Sequence, residues 1–183
     1  MFEILKRFIS PKNAYSLYQL DLRKNVNIEP QARQFLWIYR IGSETKSKLL
    51  LIFCRLILRR LRLRYGIEIG LNTKIGRGLY LGHCYNITIN PDTKIGNNVS
   101  IHKGVLIGAS NRGMLKGSPS IGNKVWIGCN AAIVGRISIG DDVLIAPNTF
   151  INQNIPSHSI CFGNPCIVKS RMNATENYIN KIV

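Results

Sequence analysis

Residues 121–151 read IGNKVWIGCNAAIVGRISIGDDVLIAPNTFI, with isoleucine at every sixth position: Ile121, Ile127, Ile133, Ile139, Ile145 and Ile151. An α-helix repeats its buried face every 3.6 residues and a strand every two, so neither explains a sustained step of six. Toward the N-terminus the same step links Ile95, Ile101 and Ile107, and before them Ile69, Ile75, Leu81 and Ile87. Glycine often follows the repeat residue, as at Gly70, Gly76, Gly96, Gly122 and Gly140. Each hexapeptide supplies one short strand and one corner, so three trace a coil of a triangular prism with the aliphatic residue pointing inward. Coils stack as parallel strands about 4.8 Å apart and share the continuous core that one hexapeptide lacks. Residues 66–168 therefore read as a parallel β-helix in a mainly β chain.

The step breaks twice. From Ile87 to Ile95 it is eight, which assigns two extra residues to Asn90-Pro91, and from Ile107 to Ile121 it is fourteen, which extrudes a polar, basic loop within 108–120. Extra residues must leave the wall of a strict solenoid, and loops carry function more often than the scaffold beneath them. After Ile151, IPSHSICFGNPCIVKS leaves the period and reads as a cap on the open end, with a weakly helical tail over 169–183.

Residues 1–65 form a basic helical region, with helices expected over Phe2–Ser10, Tyr15–Lys24, Pro30–Ser43 and Lys46–Tyr65. They carry 14 Lys and Arg against 4 Asp and Glu, while 66–183 carry 11 against 5. The fourth helix is apolar over Leu49–Leu58 apart from Arg55, then rich in arginine. It is too short and charged to span a bilayer, which takes about 20 apolar residues. It suits either the surface of an anionic membrane or packing against neighbouring subunits.

The basic surplus suits phosphates, anionic headgroups or acidic glycans. No nucleic-acid-binding signature accompanies it, so nucleic acid is not an expected partner. Five scattered cysteines with no CxxC pair argue for a reducing compartment and no structural metal. Glu3, Lys6 and Arg7 interrupt the first apolar stretch, so no signal peptide is expected and the protein reads as cytoplasmic, with the inner face of the membrane as a peripheral location. A zinc site of the γ-carbonic anhydrase kind needs three histidines between prisms, and only His83, His102 and His158 are present.

The stretches YGIEIGLNTKIGRGLYLGHCYNITI, IGNNVSIHKGVLIGAS, IGNKVWIGCNAAIVGRISIGDDVLIAPNTFI and IPSHSICFGNPCIV resemble the left-handed β-helix, hexapeptide-repeat acyltransferases. They closely resemble serine acetyltransferases and the colanic-acid-type exopolysaccharide acetyltransferases. DLRKN at Asp21 and WIYRIG at Trp37 are similar to the latter's helices. The resemblance implies a homotrimer, acetyl-CoA as co-substrate without a metal, and direct transfer rather than an acyl-enzyme on Cys84. It places the catalytic base on His83 and its partner acid on Glu68, where serine acetyltransferases usually carry aspartate. It puts acetyl-CoA contacts at Gly108, Ala109, Ser110, Cys129, Pro147, Gly163 and Lys169, with a backbone N–H near 108–110 facing the oxyanion. His102 and Asn90 are the expected substrate contacts, and His158 is expected to be structural.

The chemistry is consistent with those residue types. A hydroxyl attacking a thioester must lose its proton as it attacks, and neutral imidazole takes it well near pH 7. A carboxylate on the other ring nitrogen fixes the tautomer and stabilises the imidazolium. Serine acetyltransferases hold serine with an Arg-His pair where this chain has Gly117 and Ser118, and with an acid where it has Gly82. The expected acceptor is therefore a sugar hydroxyl of a surface glycan or glycolipid, with L-serine as the alternative.

Overall fold

The computed structural model describes residues 11–25 and 27–183. The expected helix over Phe2–Ser10 lies outside them. Three helices come first: α1 (Lys12–Lys24), α2 (Pro30–Glu44) and α3 (Lys48–Tyr65). Proline at the first position of α2 has the backbone angle a helix start needs. Ser47 caps α3 by accepting the Leu50 N–H, and Gly66 ends it in the left-handed conformation.

Fifteen short strands then wind a left-handed prism with three walls. The first wall stacks β1 (Ile67–Ile69), β4 (Ile87–Ile89), β7 (Leu106–Gly108), β10 (Ala132–Val134) and β13 (Phe150–Ile151). The second stacks β2 (Lys74–Ile75), β5 (Lys94–Ile95), β8 (Ser120–Ile121) and β11 (Ser138–Ile139). The third stacks β3 (Tyr80–Gly82), β6 (Ser100–His102), β9 (Val125–Ile127), β12 (Val143–Ile145), β14 (Ser159–Phe162) and β15 (Ile167–Ser170). Every pairing is parallel except β14 with β15.

The repeat residues form three buried columns. Ile69, Ile89, Ile107, Ile133 and Ile151 line one wall, and Leu81, Ile101, Ile127, Ile145 and Cys161 line another. Ile95, Ile121, Ile139 and Ile155 extend the third above Ile75. The interior is filled by these aliphatic columns, which leaves the polar side chains to the edges and outer faces.

Three sequence expectations need correction. The pairing Ile67↔Ile87 and Ile69↔Ile89 moves the two extra residues away from Asn90-Pro91 to the corner after β3, residues 83–86. Ile87 and Ile89 both point inward, so a count by sixes passes through either one. The prism also continues past Ile151, because β14 pairs with β12 and Ile155 bridges Ile139, completing one further coil before antiparallel β15 closes the end. The tail is turns, not helix. Asp142 pins it by accepting from Thr175 Oγ1 at 2.6 Å and from the Ala174 and Thr175 N–H groups.

The helices close the other end. A first coil leaves its outer strand edge unpaired, an arrangement that invites aggregation unless covered. Tyr39 donates to the Thr73 carbonyl, and Arg40 to those of Ile75 and Gly76. Asp21 accepts the Leu79 N–H, and Asn25 bridges the Leu79 carbonyl and Leu81 N–H. Asp21 and Arg40 are buried as a two-bond pair at 2.7 and 3.0 Å. Side chains of α1 and α2 thus make the hydrogen bonds a preceding coil would have made.

Candidate active site

The corner with the two extra residues carries His83. Its backbone takes a left-handed φ of 49°, as Asn98, Lys124, Asp142 and His158 do at other corners of the prism. Hydrogen bonds fix the corner: Tyr85 N–H donates to the His83 carbonyl, Asn86 N–H to Tyr65, and Lys103 N–H of the next coil to Gly82. The His83 side chain is 73% exposed.

The described carboxylate within ion-pair distance of His83 is Glu29, whose Oε1 lies 3.7 Å from Nδ1. Glu29 precedes α2, and its Oε2 accepts the Cys84 N–H at 3.0 Å and the Gln31 side chain at 2.8 Å. One carboxylate therefore ties the His83 corner to the helical cap and faces the imidazole. Local reading missed it, because the contact spans 54 residues and the only sequence signal is an acid beside a helix-starting proline.

Glu68, the expected partner acid, sits elsewhere in the chain. It lies on the outer face of the first wall and pairs with Arg62 at 3.3 Å, both side chains about half exposed. With Asn90 it lines a groove of about 630 Å³ between α3 and that wall. Asn90 Oδ1 accepts from Asp92 N–H and Ser118 Oγ, so it organises the 90–93 turn and the base of the loop.

His102 lies beside His83. Its Nδ1 is 2.9 Å from the Ile127 carbonyl. A carbonyl only accepts, so Nδ1 carries the proton and Nε2 presents a lone pair toward Gly82. Burial lowers the His102 pKa; the Ile127 bond opposes this and the nearby His83 charge reinforces it. A Cβ at Gly82 would come within 2.6 Å of the His102 ring and 2.8 Å of Tyr80. Glycine there is what lets His102 occupy its position.

Cys84 is buried. Desolvation, reinforced by the negative charge of Glu29, pushes its thiol up to about 12, which removes it as a nucleophile at neutral pH. His158 Nδ1 donates to the Asp142 carboxylate at 2.9 Å in the tail clamp, a structural place.

The expected acetyl-CoA contacts fall on two separate edges of the first wall. Cys129, Pro147 and Gly163 follow third-wall strands on the His83 edge, whereas Gly108, Ala109 and Ser110 lead from β7 into the extruded loop on the opposite edge. The loop is folded back: Ser110 and Gly117 exchange two backbone hydrogen bonds at 3.0 and 2.9 Å, and Leu115 accepts the Arg136 N–H. The Ser110 N–H is thereby engaged and is not the oxyanion donor in this loop conformation. Lys169 projects from β15 with its Nζ 5.6 Å from the Phe162 ring centre.

Residues 118–153 match the bacterial transferase hexapeptide family model, which comprises six repeats. A serine acetyltransferase of Helicobacter pylori is 34% identical over 128 residues, 70% of this chain and 75% of that protein. Another from Staphylococcus xylosus is 31% identical over 169 residues, 90% and 77% of the two chains. The structure of Neisseria gonorrhoeae serine acetyltransferase in complex with serine superposes with a TM-score of 0.77 at 25% identity, covering 92% of this chain and 74% of that one. These relatives overturn the expected glycan acceptor. That expectation rested on missing charges at Gly82, Gly117 and Ser118, and it did not count the acid that the helical cap delivers to His83. The chain belongs to the serine acetyltransferase family of hexapeptide-repeat acyltransferases, enzymes that take their acetyl group from acetyl-CoA.

Proposed function

We propose that this chain transfers the acetyl group of acetyl-CoA to the hydroxyl of L-serine, with His83 as general base. The reading is carried by the 31% identity to a serine acetyltransferase across 90% of the chain. His83 Nδ1 faces Glu29, which leaves Nε2 to take the serine hydroxyl proton as oxygen attacks the thioester carbonyl. The C–S bond then breaks, and the departing thiolate recovers that proton from the imidazolium. Glu29 orients the imidazole and supplies negative charge for the serine ammonium in place of the missing acid at Gly82. The neutral Nε2 of His102 accepts a further hydrogen bond from substrate.

The working unit is a trimer. Acetyl-CoA contacts on two edges of one wall cannot line one groove of a single prism, but a neighbouring prism sets its extruded loop against the His83 edge. The measurement is release of free CoA thiol from acetyl-CoA. Saturable turnover with L-serine is expected, and failure of serine to raise the rate above that of water alone refutes the assignment.

A further inference from the structure

Helix α3 has two apolar sides. Cys54, Leu58 and Leu61 pack inward. At about 100° per residue, Ile52, Phe53, Leu56 and Leu63 fall on the opposite side, and all are more than half exposed, Leu63 by 75%. Cations bracket this outer stripe: Lys48, Arg55, Arg59 and Arg62 on one flank, Arg60 and Arg64 on the other, all exposed. The helix holds six cations and no acid.

We propose that this face docks the enzyme on an anionic lipid surface, the apolar stripe entering the headgroup–acyl boundary while the flanking cations meet lipid phosphates. Charge decides the occupant. An isologous contact between copies would set six cations against six. A heterologous contact needs an acidic patch, and the described residues have none to offer. Asp21 and Asp142 are buried in pairs, and Glu29 and Glu68 face His83 and Arg62. Glu44, Asp92, Asp141 and Glu176 are scattered over the end of α2, two different prism edges and the tail. No helix among the described residues is long and apolar enough to cross a membrane, so the contact is peripheral.

The test is co-sedimentation of the full chain with phosphatidylcholine vesicles, with and without phosphatidylglycerol, at low and high salt. Binding is expected only with the anionic lipid and is expected to weaken with salt. Arg59→Gln/Arg60→Gln/Arg64→Gln should lower partitioning by roughly 10². Phe53→Ser/Leu56→Ser/Leu63→Ser should abolish it without changing the mass seen by light scattering. Lys74→Gln/Lys94→Gln, which removes charge from the second wall, should have little effect. Three results overturn the proposal: no binding to anionic vesicles, an equal loss in the Lys74/Lys94 variant (diffuse attraction), or a smaller assembly in the serine variant (a face covered by a second copy).

Discussion

Replacing Glu29 by glutamine keeps the side chain's length and an oxygen for the Cys84 N–H, and removes the negative charge 3.7 Å from His83 Nδ1. Unit charges about 4 Å apart interact by about 1 kcal/mol in water and about 4 kcal/mol at the effective dielectric near a protein surface. The His83 and Glu29 side chains are 73% and 35% exposed, so solvent screening holds the pair near the lower figure in the free enzyme. Substrate covering the site moves it upward. A loss of about 1.4 to 2.7 kcal/mol in the transition state lowers kcat by roughly 10 to 10². His83→Ala, which deletes the base, should lie roughly 10² to 10⁴ below wild type. Thiol release at saturating acetyl-CoA with varied serine reads both, with circular dichroism confirming the fold. Glu68→Gln breaks only an exposed pair with Arg62 in the same chain and should change the rate little. Wild-type turnover in Glu29→Gln together with such a fall in Glu68→Gln would transfer the orienting role to Glu68 and refute this geometry.

Burial lowers the Lys24 amine to about 7 against the opposing charge of Asp21, and its Nζ is buried without a hydrogen-bond partner. Between that value and the ordinary lysine pKa the unfolded chain binds more protons, so this group adds stability as pH rises through that window. Lys24→Met should be more stable than wild type at pH 7 by denaturant melts, with the gap closing toward about pH 10; an unchanged gap would exclude Lys24 as the cause. Cys84→Ala should retain most turnover, and iodoacetamide should label the half-buried Cys129 while Cys84 stays unmodified in the native protein. Burial opposes ionisation of Asp142, but hydrogen bonds from Thr175, His158 and the Ala174 and Thr175 N–H groups outweigh it and hold the carboxyl well below the usual range. Its contribution is complete above the unfolded carboxylate pKa and is lost only as pH falls through the lower folded value, so Asp142→Asn at neutral pH should expose Arg171 to trypsin where wild type resists.

The prism was legible because its cause is local and periodic: each coil needs one inward aliphatic residue per wall, and the isoleucines show the period directly. The register was less so, since I-T-I at 87–89 offers two inward isoleucines and only strand pairing decides between them. That ambiguity hid the two extra residues at His83, although the histidine itself stood out from its motif. Glu29, the Gly82 space for His102 and the folded-back loop depend on contacts between residues far apart in sequence, for which no spacing rule exists. The acceptor was misjudged for the same reason: absent charges were sought in the loop and beside His83, while Glu29, the acid proposed to meet the serine ammonium, comes from the start of a helix 54 residues away in sequence.

Because Glu29 both precedes α2 and anchors the His83 corner, the proposed base depends on the helical cap staying seated. The later coils bury Ile127, Ile133, Ile145 and Ile151 completely within the stack, so fraying of α1 and α2 should be a separate, lower-temperature event than melting of those coils. The enzyme's thermal inactivation midpoint should therefore lie below its unfolding midpoint, read by thiol release and circular dichroism over one temperature series. On cooling from between the two midpoints it should regain activity as soon as the helices reseat, without the slow long-range strand pairing that rebuilding the solenoid would demand.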